Sequence, residues 1–103
     1  MELSGEEFRL LMNLWMEYGN NQLYQRGFHS KTSVSKVLCS SLNPPKSVDN
    51  FRNFLLDEGI LVFSKDGLIV LDMPKFKGLV LSNKTYQIVR AFIHDEDSSV
   101  FIG

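Results

Sequence analysis

Consecutive prolines, Pro44 and Pro45, divide two short amphipathic segments, and that break constrains the fold more than any other feature of the chain. Each proline denies the residue before it an α conformation and lacks an amide donor, so no helix runs through Asn43-Pro44-Pro45. A turn must lie there. Before it, Thr32 or Ser33 offers an N-cap to a helix with Val34, Val37 and Leu38 inward, Leu42 a further candidate, and Lys31, Ser35 and Lys36 toward solvent. After it, Ser47 offers an N-cap to a helix over about 47–58, with Lys46 the alternative first-turn residue. Val48, Phe51 and Leu55, flanked by Phe54 or Leu56, form its inward stripe, and Gly59 supplies the stop. The outward face carries Lys46, Asn50, Asn53 and Asp57 at intervals of four, three and four residues, with Asp49 and Arg52 beside them.

Two β-prone runs follow, Ile60-Leu61-Val62-Phe63 and Leu68-Ile69-Val70-Leu71. The residues between them, Ser64-Lys65-Asp66-Gly67, contain an Asp-Gly pair, a strong hairpin signal because glycine accepts a positive φ. Upstream, Ser4 and Glu7 spell a capping box, and Phe8, Leu11, Met12 and Trp15 make the stripe of a first helix ending near Gly19. That helix is apolar over most of its circumference. Residues 22–30 read as a connector, with Phe28 a candidate for a short strand. Beyond Pro74, KFKGLVL reads as a strand or extended connector, and Ser82 opens a final helix with Tyr86, Val89 and Ile93 on one face and Ile88 and Phe92 on another. The acids Asp95, Glu96 and Asp97 close it, and residues 98–103 are a short C-terminal tail to a single domain over 1–97.

Helix, turn, helix and hairpin in this order over residues 31–72 spell an α+β fold of winged helix-turn-helix type, with a three-helix core, a β-hairpin wing and an additional C-terminal helix. The 103 residues suffice for one core, and 44% apolar against 22% charged residues excludes a largely disordered chain. The acidic N-terminus lacks the features of a signal peptide, and no apolar run approaches the ~20 residues a membrane span requires. The expected location is the cytoplasm, with no membrane partner. Cys39 is the single cysteine, which excludes an internal disulfide and a thiolate cluster; its bland reading is a small buried residue. Asn83-Lys84-Thr85 matches a glycosylation sequon by coincidence. Net charge is −1, which argues against a protein that coats DNA indiscriminately, but residues 19–48 carry Arg26, Lys31, Lys36 and Lys46 with no acid. The basic block is the one that enters the two-helix unit.

Residues 31–72 resemble winged-helix regulators of the MarR-like and small phage or archaeal-virus kind. The resemblance rests on TSVSKVL in the first helix of the pair and on the closure Leu55-Leu56-Asp57-Glu58-Gly59-Ile60-Leu61 before the first wing strand. The wing is also similar to that of the activator domain of T-even phage middle-promoter proteins, where Gly-Leu-Ile follows the turn. The resemblance implies sequence-specific binding of double-stranded DNA and control of transcription, with helix 47–58 in the major groove. By that reading Lys46, Ser47, Asn50, Arg52 and Asn53 face bases, and Lys31, Ser35, Lys36 and Lys65 face the backbone. Asp49, Asp57 and Asp66 make the same surface more mixed in charge than those families usually show, which leaves an alternative: a winged-helix module that docks a protein partner, such as one in the transcription machinery, without binding DNA.

The apolar excess on the terminal helices points to a homodimer through Leu10, Leu14, Met16, Ile88 and Phe92, which would set two reading helices about one DNA turn, ~34 Å, apart. No nucleophile motif, phosphate loop or paired metal spacing accompanies His29 or His94, and His94-Asp95-Glu96-Asp97 reads as a solvated end. Neither an enzyme nor a cofactor is expected.

Overall fold

The computed structural model describes residues 2–20 and 26–83. Helix α1 (Gly5–Asn20) starts at the box the sequence spells. Ser4 N–H donates to Glu7 Oε1 at 2.9 Å and Glu7 N–H to Ser4 Oγ at 3.1 Å, so two otherwise orphaned donors are satisfied. Its buried stripe is Phe8, Leu10, Leu11 and Leu14, with Met12, Trp15 and Tyr18 packed at the edge of the core.

Helix α2 (Lys31–Cys39) is capped earlier than its sequence suggests. The cap is Ser30, extended at φ −152°, whose Oγ accepts from Ser33 N–H at 3.1 Å; Thr32 and Ser33 lie inside the first turn. Asn13 Nδ2 donates to the Leu38 carbonyl at 2.9 Å and ties α1 to α2. The helix ends when Ser40 takes a left-handed φ of 52° and Ser41 N–H closes on the Lys36 carbonyl at 3.1 Å. That early exit carries Leu42 out to 78% exposure, so the expectation of an inward Leu42 is wrong.

Helix α3 (Lys46–Asp57) has Pro45 as its N-cap, extended at ψ 163°, and the amides of Val48 and Asp49 bond to the Pro45 carbonyl. Ser47, a candidate cap, is already helical. The C-terminal stop is the predicted one: Gly59 at φ +72° lets its own N–H reach the Leu56 carbonyl at 3.1 Å while Ile60 N–H reaches Leu55 at 2.9 Å.

Strands β1 (Leu61–Phe63) and β2 (Ile69–Leu71) pair antiparallel, Leu61 with Leu71 and Phe63 with Ile69. The connection is a three-residue loop: Gly67 N–H bonds to the Ser64 carbonyl at 3.0 Å and Ser64 N–H to Leu68 at 2.7 Å, with Gly67 at φ +79°. Phe28 pairs with Ile69 on the other side of β2, through bonds of 2.7 and 2.9 Å, as its strand reading anticipates. Gly27 makes that approach possible. At φ +119° it occupies backbone space closed to other residues, and a β-carbon there would stand 2.9 Å from the Ile69 carbonyl oxygen.

The segment after the hairpin is helix α4 (Met73–Leu81), which corrects the strand reading. Asp72 Oδ1 accepts from Lys75 N–H at 3.1 Å, Pro74 sits in the first turn where its missing donor costs nothing, and Phe76 and Val80 bury a face at i, i+4. Phe76 stacks on Trp15 with ring centroids 5.5 Å apart, clamping α4 to α1. Ser82 is the C-cap of α4. Asn83 is fully buried, accepting from Leu3 N–H at 2.6 Å and donating to Leu79, so the sequon asparagine is an internal fastener with no nitrogen to offer a glycan. The expected final helix and tail lie outside the described residues.

Among the described residues the chain is thus an α+β fold of four helices and one two-stranded hairpin, with one core drawing side chains from every element. No helix among them is long and apolar enough to cross a membrane. Two glycine substitutions separate backbone geometry from helix propensity. Gly27→Ala should lose about 2 kcal/mol or more, from left-handed strain and the clash with Ile69, whereas Gly78→Ala, with nothing within 4 Å, should gain about 0.5–1 kcal/mol in urea unfolding.

Candidate nucleic-acid interface

Helix α3 buries Val48, Phe51 and Leu55 and turns its opposite face outward. Lys46, Ser47, Asn50, Asn53 and Asp57 are exposed along that face, as their spacing requires. No side chain caps the N-terminus of α3, which leaves first-turn N–H groups at the positive end of the helix dipole. On α2, Lys31 and Lys36 are exposed, and Lys65 is exposed in the hairpin loop.

Two residues expected on the outward face from sequence are drawn inward instead. Ser35 is completely buried, and Arg52 retains only 12% of its side-chain exposure. They meet each other: Arg52 Nη1 donates to Ser35 Oγ at 3.0 Å, crossing from α3 to α2. The same nitrogen donates to Asp49 Oδ1 at 3.3 Å, while Nε and Nη2 both donate to Asn53 Oδ1, at 3.0 and 2.8 Å. Ser35 lies one turn beyond Lys31 on the side of α2 that meets α3, and a hydroxyl there is tolerated in the core because a guanidinium reaches it. Periodicity alone could not separate it from Lys36, since both read as polar.

The pairing with Arg52 also changes the charge of the face. Asp49, which on sequence alone opposes an anionic partner, has its carboxylate drawn sideways to Arg52. The acids left on α3 are Asp57 and Glu58, both at its C-terminal end, with Asp66 exposed beside Lys65 in the hairpin loop, and Lys75 stands over the end of α3. A β-carbon on Gly59 would be 2.9 Å from Lys75 Nζ, so an ammonium from α4 faces the negative pole of α3. Sequence reasoning missed Lys75 because it read residues after 74 as extended.

Between α3 and β1 runs an open groove of about 590 Å³ lined by Lys31, Asn53, Leu56, Asp57, Leu61, Val62 and Phe63. Phe63 is 60% exposed at its edge. The dimer expectation is corrected on α1: Leu10 and Leu14 are 5% and 0% exposed within the chain itself, because α1 is wrapped by the core on more than one side. Of the α1 residues expected at that interface, Met16 alone is exposed, at 53%. Ile88 and Phe92 lie outside the described residues, as do His94 and the acids after it. No group of three or more His, Cys, Asp or Glu residues among the described ones is arranged to hold a metal ion.

Comparison with known proteins returns nothing to set beside this geometry: no family model, curated protein or solved structure matches the chain.

Arg52→Ala strips the buried Ser35 hydroxyl and Asp49 of a shared charged partner and should cost about 1–3 kcal/mol in urea unfolding. Lys46→Ala, on the exposed face, should stay within about 0.5 kcal/mol of the parent.

Proposed function

We propose that this chain is a winged helix-turn-helix protein that binds double-stranded DNA in sequence-specific fashion and regulates transcription, with α3 in the major groove and the β1–β2 hairpin as the wing. The observation that carries the reading is the N-terminal half of α3. It is uncapped, outward-facing and built of Lys46, Ser47 and Asn50, with its one acid, Asp49, pulled aside by Arg52. Reading helices of this class touch base edges with their N-terminal residues, and side chains of these types suit phosphates and bases. Lys31 and Lys36 on α2 and Lys65 on the wing are the backbone contacts of this arrangement, and Arg52 and Ser35 hold it together rather than reading DNA.

A second reading is favoured by one feature. The groove beside β1 sets Leu56, Leu61, Val62 and an exposed Phe63 beside Lys31, Asn53 and Asp57, a mixed lining that suits a protein partner better than a phosphate backbone. A salt titration on random-sequence duplex separates the two. The DNA reading requires micromolar or tighter binding at ~50 mM salt, falling with a log–log slope of about −3 to −4 when, on random sequence, Lys46 joins Lys31, Lys36 and Lys65 in contacting phosphates. Lys46→Ala should flatten that slope by about one unit. Absence of binding at ~50 mM salt overturns the DNA reading in favour of the protein module.

A further inference from the structure

Asn50 and Asn53 stand one turn apart on the same exposed face of α3, yet their amides are not in the same state. Asn53 Oδ1 accepts two hydrogen bonds from one guanidinium, at 3.0 Å from Arg52 Nε and 2.8 Å from Nη2. A carbonyl oxygen has two lone pairs, and both are engaged. The assignment of oxygen and nitrogen in this amide is dictated by the partner, because a guanidinium has donors only and must meet the oxygen. Arg52 in turn is held by Ser35 and Asp49 and is nearly buried, so it does not swing away at small cost. What Asn53 presents outward is therefore its NH₂ group. Asn50 is exposed, and its amide makes no hydrogen bond among the described residues, so its oxygen and nitrogen are both available.

We propose, resting on the DNA reading above, that these two asparagines read different base edges and that Arg52 is the positioning residue that makes them differ. Asparagine recognises adenine by accepting from N6 and donating to N7 together. Asn50 retains both functions and is the adenine reader. Asn53 has only its donor left and favours edges that present acceptors alone, guanine N7 and O6 or thymine O4, over adenine, where the N6–H₂ beside N7 would face an oxygen already engaged by Arg52. A helix face that looks repetitive in sequence thus carries two distinct specificities.

The test has one arm without DNA and one with it. In the free protein, the Arg52 Nε proton should exchange with water far more slowly than that of a free arginine, and the protection should vanish in Asn53→Ala. With DNA, the preferred site is selected from randomised duplex and every single-base variant is measured against the parent, Asn50→Ala, Asn53→Ala and Arg52→Met. The expected result is an about tenfold loss for each asparagine variant, confined to an adenine position for Asn50 and to a guanine or thymine position for Asn53. Arg52→Met, if folded by circular dichroism, should move the Asn53-dependent preference to adenine.

An adenine preference that depends on Asn53 in the parent overturns the inference, as does an unprotected Nε proton or a loss spread evenly over all bases, while the DNA reading survives each of these. Failure of the parent to bind any duplex overturns both, whatever the exchange experiment shows.

Discussion

The guanidinium of Arg52 is the contact on which the geometry of the outward surface depends. Burying most of a charged side chain costs several kcal/mol unless its donors find acceptors, and here three different acceptors surround it. Each partner does something different. Ser35 fixes α3 against α2, Asp49 supplies the countercharge along the same helix, and Asn53 extends the network to the surface. Because the three are bound to one planar group, a change in the packing of α2 on α3 is transmitted to the orientation of an exposed amide. The outward face of α3 and the core are therefore not separable layers.

Much of the fold is legible in the chain because local rules and global packing agree over most of it. The prolines, the Ser4–Glu7 box, the Gly59 stop and the Asp-Gly hairpin each specify a backbone geometry by themselves, and each is found where the residues put it. The failures have equally local causes. KFKGLVL reads as a strand or extended connector because Gly78 weakens a helix there, yet Asp72 as a cap and the i, i+4 pair of Phe76 and Val80 outweigh Gly78 once Trp15 offers a stacking partner. Leu42 reads as inward only if α2 continues, and a left-handed serine at position 40 ends it. No residue type announces that serine, since glycine is the usual occupant of such a cap.

The candidate site was legible in outline and not in its wiring. Helical spacing correctly separates Lys46, Asn50 and Asn53 from Val48, Phe51 and Leu55. Spacing cannot tell a solvent-facing polar residue from a buried one that has found a charged partner, and it therefore misassigned Ser35 and Arg52. The same limit affected α1, where an excess of apolar residues read as a surface awaiting a second copy. Leu10 and Leu14 are covered by the chain's own elements, because one small core here takes a helix that is apolar around most of its girth.

Net charge is a poor guide to what this surface can meet, and the arrangement explains why. The whole chain carries −1, but screening confines the influence of an exposed charge to about 10 Å at ordinary salt, so a partner senses the local set. Over the N-terminal half of α3 that set is Lys46 and an uncapped helix end, with Asp49 neutralised at 3.3 Å by Arg52. The remaining acids of the helix lie at its opposite end, where the Lys75 ammonium stands beside Gly59. The first turn is thus the more positive end of the outward face of α3. An amide already locked by Arg52 also loses less rotational freedom on contact than a free asparagine, so the ordering cost of that contact is met in folding rather than in binding. Local charge at the first turn and a rigidly held amide one and a half turns further on thus lie along the same outward face of one helix.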